Sequence, residues 1–300
     1  MSDTVLYRSG FVALVGRSNV GKSTLLNRLV GQKIAITSNK PQTTRNRILG
    51  IVSRPDGQLL FVDTPGLHAA RSRLNKIMVE QAREACREVD LILWLVEADR
   101  PVDEEPLVTE VLRQGDAPVL LIVNKCDQVG PERLLPLLAA YGQLREFAEI
   151  IPVSALTGSG CDHLVEVVLK HLPEGPRYYP DDQVTDLPER FIAAELIRER
   201  VLAHTRDEVP YGVAVRVEDF HEEAERNLVV INAVICVERE MHKRIVVGKG
   251  GGMIRRIGQE ARQAIEALLG VRVFLELFVR VEAGWTGSDR ALREFGYLGE

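Results

Sequence analysis

Between Gly16 and Ser23 the chain reads GRSNVGKS, eight residues bounded by glycines and ending in a lysine and a hydroxyl. That spacing, G-x-x-x-x-G-K-S, suits one kind of chemistry. Gly16 and Gly21 free the backbone to wrap an anion, and the N–H groups of Arg17, Ser18, Asn19, Val20 and their neighbours converge on phosphate oxygens. Lys22 supplies a point charge for the outer phosphates, and the Ser23 hydroxyl is placed to ligate Mg²⁺. A second constellation, Asp63-Thr64-Pro65-Gly66, follows about forty residues later. Its carboxylate is the expected second-shell or water-mediated partner of the metal, and the Gly66 N–H is positioned to sense a γ-phosphate. The third is Asn124-Lys125-Cys126-Asp127. An Asp carboxylate accepts from both N1–H and the N2 amine of guanine, donors that adenine lacks in that arrangement, so a site built on Asp127 rejects the wrong base. Asn124 and Lys125 would brace the neighbouring loops. A backbone N–H in Ser154-Ala155-Leu156 completes the set by meeting guanine O6.

These residues need rigid elements behind them, and the pattern provides them. Phe11 to Val15 is an apolar strand that leads directly into the loop, and Ser23 to about Val30 is helical, so the dipole of a helix N-terminus adds to the phosphate site. A polar, irregular stretch with Pro41-Gln-Thr-Thr inside it spans residues 31–46. Residues 48–53 and 59–62 read as a hairpin around Pro55-Asp-Gly, and the second strand delivers Asp63. Helix-like sequence at 73–88 and 104–113 alternates with buried-type strands at 90–96, 118–123 and 150–153. Such alternation predicts an α/β fold, a mostly parallel doubly wound sheet with ligands at the carboxyl ends of its strands. Each motif above lies at such an end.

The chain has 300 residues and 45 % hydrophobic content, enough for about two domains. A net charge of −5 excludes a global basic field, so a nucleic-acid partner must be met by a local patch. Cys86, Cys126, Cys161 and Cys236 are widely spaced and form no C-x-x-C, which points to reduced thiols and a cytoplasmic home rather than a disulfide scaffold. The N-terminus lacks a signal-type apolar core, and no segment approaches the roughly 18 apolar residues that a membrane helix needs.

Prolines and a glycine from Leu172 onward mark a linker at 173–187, which separates a first domain at 1–172 from a second at 188–283 and a tail helix at 284–300. The second domain reads as a helix at 189–202 and strands at 213–217 and 228–237, parted by a charged turn at 221–227. A short helix follows, then Gly248-Lys249-Gly250-Gly251, a helix at 253–269 and a strand at 271–281. Two close glycines let backbone N–H groups approach a sugar-phosphate chain and clamp about four nucleotides. Between residues 243 and 262 stand Lys243, Arg244, Lys249, Arg255, Arg256 and Arg262 against the single acid Glu260, a local net of +5. That is the electrostatic footprint of an RNA site.

GRSNVGKS, DTPG, NKCD and SAL, in this order, resemble the translation-factor-like guanine-nucleotide-binding proteins over residues 11–171. The order helix, strand, strand, helix, G-x-x-G, helix, strand resembles a type II KH domain. Together, with PQTT in the first switch, they resemble the Era family over nearly the whole chain. The resemblance implies a P-loop GTPase that uses GTP and Mg²⁺, with Lys22, Gly66 and Asn19 in catalysis. Switch one would lie in 31–46, with Thr43 or Thr44 giving a hydroxyl to the metal, and switch two would start at Asp63. At the position where Ras-like proteins carry a water-orienting glutamine stands Leu67, an apolar side chain that orients nothing, with His68 after it. Asn19 is associated in similar GTPases with K⁺ near the phosphates, a cation that stands in for an arginine finger. The resemblance further implies slow intrinsic turnover, binding of the 3′ region of 16S ribosomal RNA, a role in assembly of the 30S subunit, a monomer, and some peripheral membrane association. A tRNA-modification GTPase would need a catalytic partner domain that a KH module does not supply. A constitutive RNA scaffold with a purely structural nucleotide site is separated from a switch by turnover.

Overall fold

The computed structural model describes residues 6–67, 72–113 and 115–298. His68 lies outside them. The chain forms two compact units, the first taking in the described residues of 1–35, 44–69 and 78–186, and the second those of 36–43, 70–77 and 187–300.

In the first unit a six-stranded sheet has the order β2-β3-β1-β4-β5-β6. Its strands are β1 (Arg8–Val15), β2 (Ile48–Arg54), β3 (Gly57–Asp63), β4 (Leu91–Glu97), β5 (Val119–Asn124) and β6 (Glu149–Pro152). Only β2 runs antiparallel, paired to β3 across the Pro55-Asp56-Gly57 turn. Every residue of β3, β4 and β5 is buried. Their unbroken apolar runs therefore match strands covered by helices on both faces, not strands with one wet face. The helices are α1 (Lys22–Val30), α2 (Arg73–Arg87), which belongs to this unit from Met78 onward, α3 (Pro106–Leu112), α4 (Pro131–Leu144) and α5 (Cys161–His171). Neither α4 nor α5 is among the elements read from the pattern above. The first starts at a proline in its opening turn and the second follows Gly160 in the left-handed region, at φ 76°.

The proline-rich stretch after Leu172 is held against this unit. Fully buried Gln58 accepts from the N–H groups of Tyr178 and Tyr179 (2.9 and 3.0 Å) and donates to the Tyr179 carbonyl (2.9 Å). Ile51 N–H donates to Val184 O at 2.8 Å, which extends the pairing beyond β2.

The second unit contains α6 (Glu189–His204), β7 (Val213–Glu223), β8 (Leu228–Val237), α7 (Glu240–Val247), α8 (Gly252–Leu269), β9 (Arg272–Val281) and the short α9 (Asp289–Glu294). The sheet order is β7-β8-β9, with β7 antiparallel and β9 parallel to β8. Its core joins α6, α8 and the inward residues of the sheet, among them Leu196, Ile231, Ile235, Ile257 and Ile265. One expectation is corrected. The charged run from His221 is not a turn at its start, because β7 continues through Glu223 in register with β8, past an irregularity between Val217 and Asp219. Cross-strand pairing on a half-exposed strand tolerates charges that local propensity reads as a loop. Only Ala224–Arg226 forms the connecting helical turn.

Candidate functional site

β1 ends at Val15 and α1 begins at Lys22, so the loop between them opens over the carboxyl edge of the sheet. Gly21 is required by space as well as conformation: it has φ 101°, and a Cβ there would lie 2.3 Å from Asn124 Nδ2. That Asn124 amide ties the loops together, donating to Val20 O (2.8 Å) and accepting from Ala155 N–H (2.9 Å). The bracing expected of Asn124 thus has a geometry, and it also occupies the Ala155 N–H. Lys125 is ion-paired with Glu97 at the end of β4. Cys126 Sγ turns inward to the carbonyls of Val123 (3.2 Å) and Val153 (2.6 Å). Asp127 is exposed at the rim, as is Leu156, while Ser154 is buried in the turn below.

Lys22 is 6 % exposed, and its Nζ donates to the carbonyls of Gly16 (3.1 Å) and Arg17 (3.0 Å). Burial pulls its pKa down, opposed by the nearby Asp63 and Glu105 carboxyls. Asp63 is fully buried. Desolvation pushes its carboxyl up to about 6, against the opposing pull of Lys22 and the Ser23 hydroxyl. Ser23 Oγ donates to Asp63 Oδ2 (2.6 Å) and lies 2.8 Å from Thr44 Oγ1. Asp63 Oδ1 is buried with no donor at hydrogen-bonding distance. Two hydroxyls and a carboxylate, one of whose oxygens is an orphaned acceptor, form a hard oxygen set of the kind Mg²⁺ takes. Among the described residues no group of three or more His, Cys, Asp or Glu offers an alternative metal site.

Thr43 and Thr44 point to different neighbours. The Thr43 hydroxyl donates to Lys40 O (2.6 Å), and its carbonyl is taken by the fully buried Arg198 on α6. In the same segment Thr37 N–H donates to Glu199 Oε1 at 2.8 Å. Thr44 is therefore the threonine brought to Ser23.

Beyond Asp63, Thr64 Oγ1 donates to Leu14 O (2.8 Å), Pro65 and Gly66 are buried, and a Cβ on Gly66 would meet Ser18 Oγ at 2.6 Å. Leu67 is 4 % exposed, its N–H bonded to Gly16 O (3.2 Å) and its side chain in the β4–β5 core. It is a packing residue, remote in chemistry from water. Asn19 sits in the left-handed region at φ 68°.

In the second unit Gly248, Gly250 and Gly251 have φ of 71°, 59° and 76°. The loop joins α7 to α8 and opens on a groove of about 430 Å³ lined by Gly251, Ile254, Arg255, Gly258, Gln259 and Arg262 of α8 and by Leu275, Glu276 and Leu277 of β9. Of the basic residues proposed for RNA, Arg255 lines it. Lys243 and Arg244 lie on α7 and Lys249 at the loop tip, outside the lining. Arg256 is turned away, bound to Glu260 (3.1 Å), which also meets His204 Nε2 (2.7 Å). The His204 hydrogen bond chiefly holds Glu260 below the usual carboxylate range. Arg262, counted in the basic run, lines it with Arg255. Ile254, Gly258 and Gln259 escaped the sequence reading, although their three- and four-residue spacing from Gly251 and Arg255 marks one face of a helix. The β9 wall had no local signal.

A phosphate loop, a buried acid on the adjoining strand and a guanine-type N-K-x-D loop on one doubly wound sheet, joined to a G-x-x-G domain, define a GTPase carrying a KH module. Comparison with known families agrees. Residues 11–125 match the family described as 50S ribosome-binding GTPase, and residues 208–286 match the KH domain family. GTPase Era of Geotalea uraniireducens is 59 % identical over 97 % of this chain and 98 % of its own length. GTPase Era of Geobacter metallireducens is 57 % identical over 99 % and 100 %. Two crystal structures superpose with a TM-score of 0.94 at 40 % identity: a variant Aquifex aeolicus Era bound to GDP and aluminium fluoride, and Era in complex with MgGDPNP and nucleotides 1506–1542 of 16S ribosomal RNA. They cover 97 % and 98 % of this chain and each is covered in full. The chain belongs to the Era family of GTPases.

Proposed function

We propose that this protein is a GTP-hydrolysing switch that binds the 3′ region of 16S ribosomal RNA through its KH domain and acts in assembly of the 30S subunit. The observation that carries the nucleotide half is the meeting of Ser23, Thr44 and the orphaned Asp63 oxygen beside Lys22. The RNA half rests on the basic G-x-x-G groove, together with the 16S fragment held by the related Era.

In this reading Lys22 leaves the Gly16 and Arg17 carbonyls and meets the outer phosphate oxygens, where its charge opposes the charge that builds up in transfer. Ser23 and Thr44 hold Mg²⁺ directly, with Asp63 behind them. Mg²⁺ held there would neutralise phosphate charge. The Gly66 N–H meets the γ-phosphate. Asp127 selects guanine, and Leu67 keeps the loop packed without touching water. Asn19 would offer its amide oxygen to K⁺, which would add positive charge beside that of Lys22. GTP orders residues 31–46 and those following Asp63, RNA is held in that state, and hydrolysis releases the particle.

The protein works as a cytoplasmic monomer with peripheral membrane contact. The family resemblance is the ground for that placement, and among the described residues no helix is long and apolar enough to cross a membrane. GTP turnover measured with and without the 16S fragment, in K⁺ and in Na⁺, tests the proposal. Slow turnover raised by K⁺ or RNA is expected. No turnover under any of these conditions would overturn the switch.

A further inference from the structure

β9 is the outer strand of the second sheet, and its residues alternate strictly between the two faces. The inward residues pack on α6 and α8. The outward row reads Arg272, Phe274, Glu276, Phe278, Arg280, and all five are exposed. Phe274 and Phe278 are 54 % and 52 % exposed, on a face where β8 sets Val230 and Val234 beside them in register. Four residues of strand part the two rings by about 13 Å. Two phenylalanines left half open to water on an edge strand call for an occupant.

The occupant is adjacent. Leu275, Glu276 and Leu277, the wall of the G-x-x-G groove, lie between these same rings in the sequence. A nucleotide chain seated in the groove therefore leaves it across β9 and meets the rings within one residue of the wall. The chemistry of the row also separates RNA from a protein partner. Protein interfaces bury a contiguous apolar centre depleted of charge. Here each ring is isolated from the other by Glu276 and flanked by an arginine, of which Arg280 lies 3.8 Å from Glu218 in a solvent-exposed pair that a phosphate can displace. Separate aromatic platforms beside cations are what unpaired bases and their phosphates use, since every base has a π-face.

We propose that the outward row of β9 is a second RNA-binding surface: Phe274 and Phe278 stack bases of the single strand that continues out of the groove, and Arg272 and Arg280 neutralise its phosphates. This rests on the groove being the primary RNA site.

The test uses the full chain and the 16S segment bound by the related Era, trimmed from either end to the shortest fragment that the wild type retains. Restoring the trimmed nucleotides at one end should tighten binding by about tenfold or more. Restoring them as abasic residues should recover only a small, salt-sensitive part. The F274A/F278A double variant should bind the short fragment as the wild type does and lose the gain from the extension. F274L/F278L should lose it too, because leucine keeps apolar area but has no π-face. An undisturbed melting transition and unchanged GTP affinity show that the variants fold. A gain that survives both variants overturns the platform. A gain lost with alanine but kept with leucine overturns stacking and points to apolar docking. A short fragment whose affinity is unmoved by Gly250→Asp places the failure in the groove reading itself, and the platform falls with it.

Discussion

A Cβ placed on Gly21 would lie 2.3 Å from Asn124 Nδ2, whereas one placed on Gly250 or Gly251 meets nothing within 4 Å. Both loops need left-handed backbone, and each is pressed against its own protein at one glycine, the second at Gly248, where a Cβ would lie 2.6 Å from Met253 Cβ; at Gly250 and Gly251 the second loop is open. Around the phosphate loop the neighbours are side chains already bonded to it: Asn124 to Val20, Lys22 to Gly16 and Arg17. The phosphate loop is built onto a sheet whose strands β3, β4 and β5 are buried throughout. Around the RNA loop the neighbours are solvent and a groove wall. A triphosphate is small, fixed and highly charged, and a rigid pocket pays its organisation in advance. A single strand of RNA is long and variable, and an open edge with repeated contacts suits it.

Variants at the two loops should therefore fail differently. The largest effect is expected from Lys22→Ala. Removal of the buried ammonium leaves phosphate charge uncompensated, and GTP affinity should fall at least about a hundredfold by calorimetry. Retained micromolar binding would break the phosphate-loop assignment. Asp127→Asn should move the preference from guanine towards xanthine nucleotides by orders of magnitude in competition binding, because the carboxylate–donor match is lost. An unchanged preference for GTP would count against it.

The paired glycine substitutions sharpen the contrast itself. Gly21→Ala imposes both strain and a clash, and the thermal midpoint should drop by on the order of 10 °C with nucleotide binding lost. Gly250→Ala imposes only the left-handed strain of about 1–2 kcal/mol, a shift of a few degrees. Equal shifts would show that the two loops are built alike. Gly250→Asp should weaken RNA about tenfold in filter binding by setting a negative charge against phosphate, with GTP affinity intact. Smallest is Asn19→Ala, expected to abolish the K⁺ dependence of turnover while GTP binding stays within a few fold; persistent K⁺ stimulation would remove Asn19 from the cation site.

The nucleotide site was legible because its determinants are local. Eight consecutive residues make the phosphate loop, and four make the base-selecting loop. Strand ends then set them on one edge by a general property of parallel sheets. Where two adjacent residues of one type compete, the sequence is mute. Thr43 and Thr44 are indistinguishable until the backbone direction is known, and then Lys40 and Arg198 hold one while Ser23 meets the other. In the KH domain the loop and its charge were visible, but charge count does not say which side chains line the groove. Arg256 is spent on Glu260, and the uncounted wall of the groove comes from β9.

Sequence alone determined the phosphate, metal and guanine chemistry, the α/β architecture and the presence of an RNA-type glycine loop, because each is written in short-range spacing and period. Tertiary structure alone decided which threonine meets Ser23, which arginines line the groove and that Phe274 and Phe278 stand open on an edge strand. Those facts depend on pairings between residues far apart in the chain. Leu67 shows the same division: its identity says that it cannot orient water, and only its burial in the core shared by β1, β4 and β5 says what it does instead.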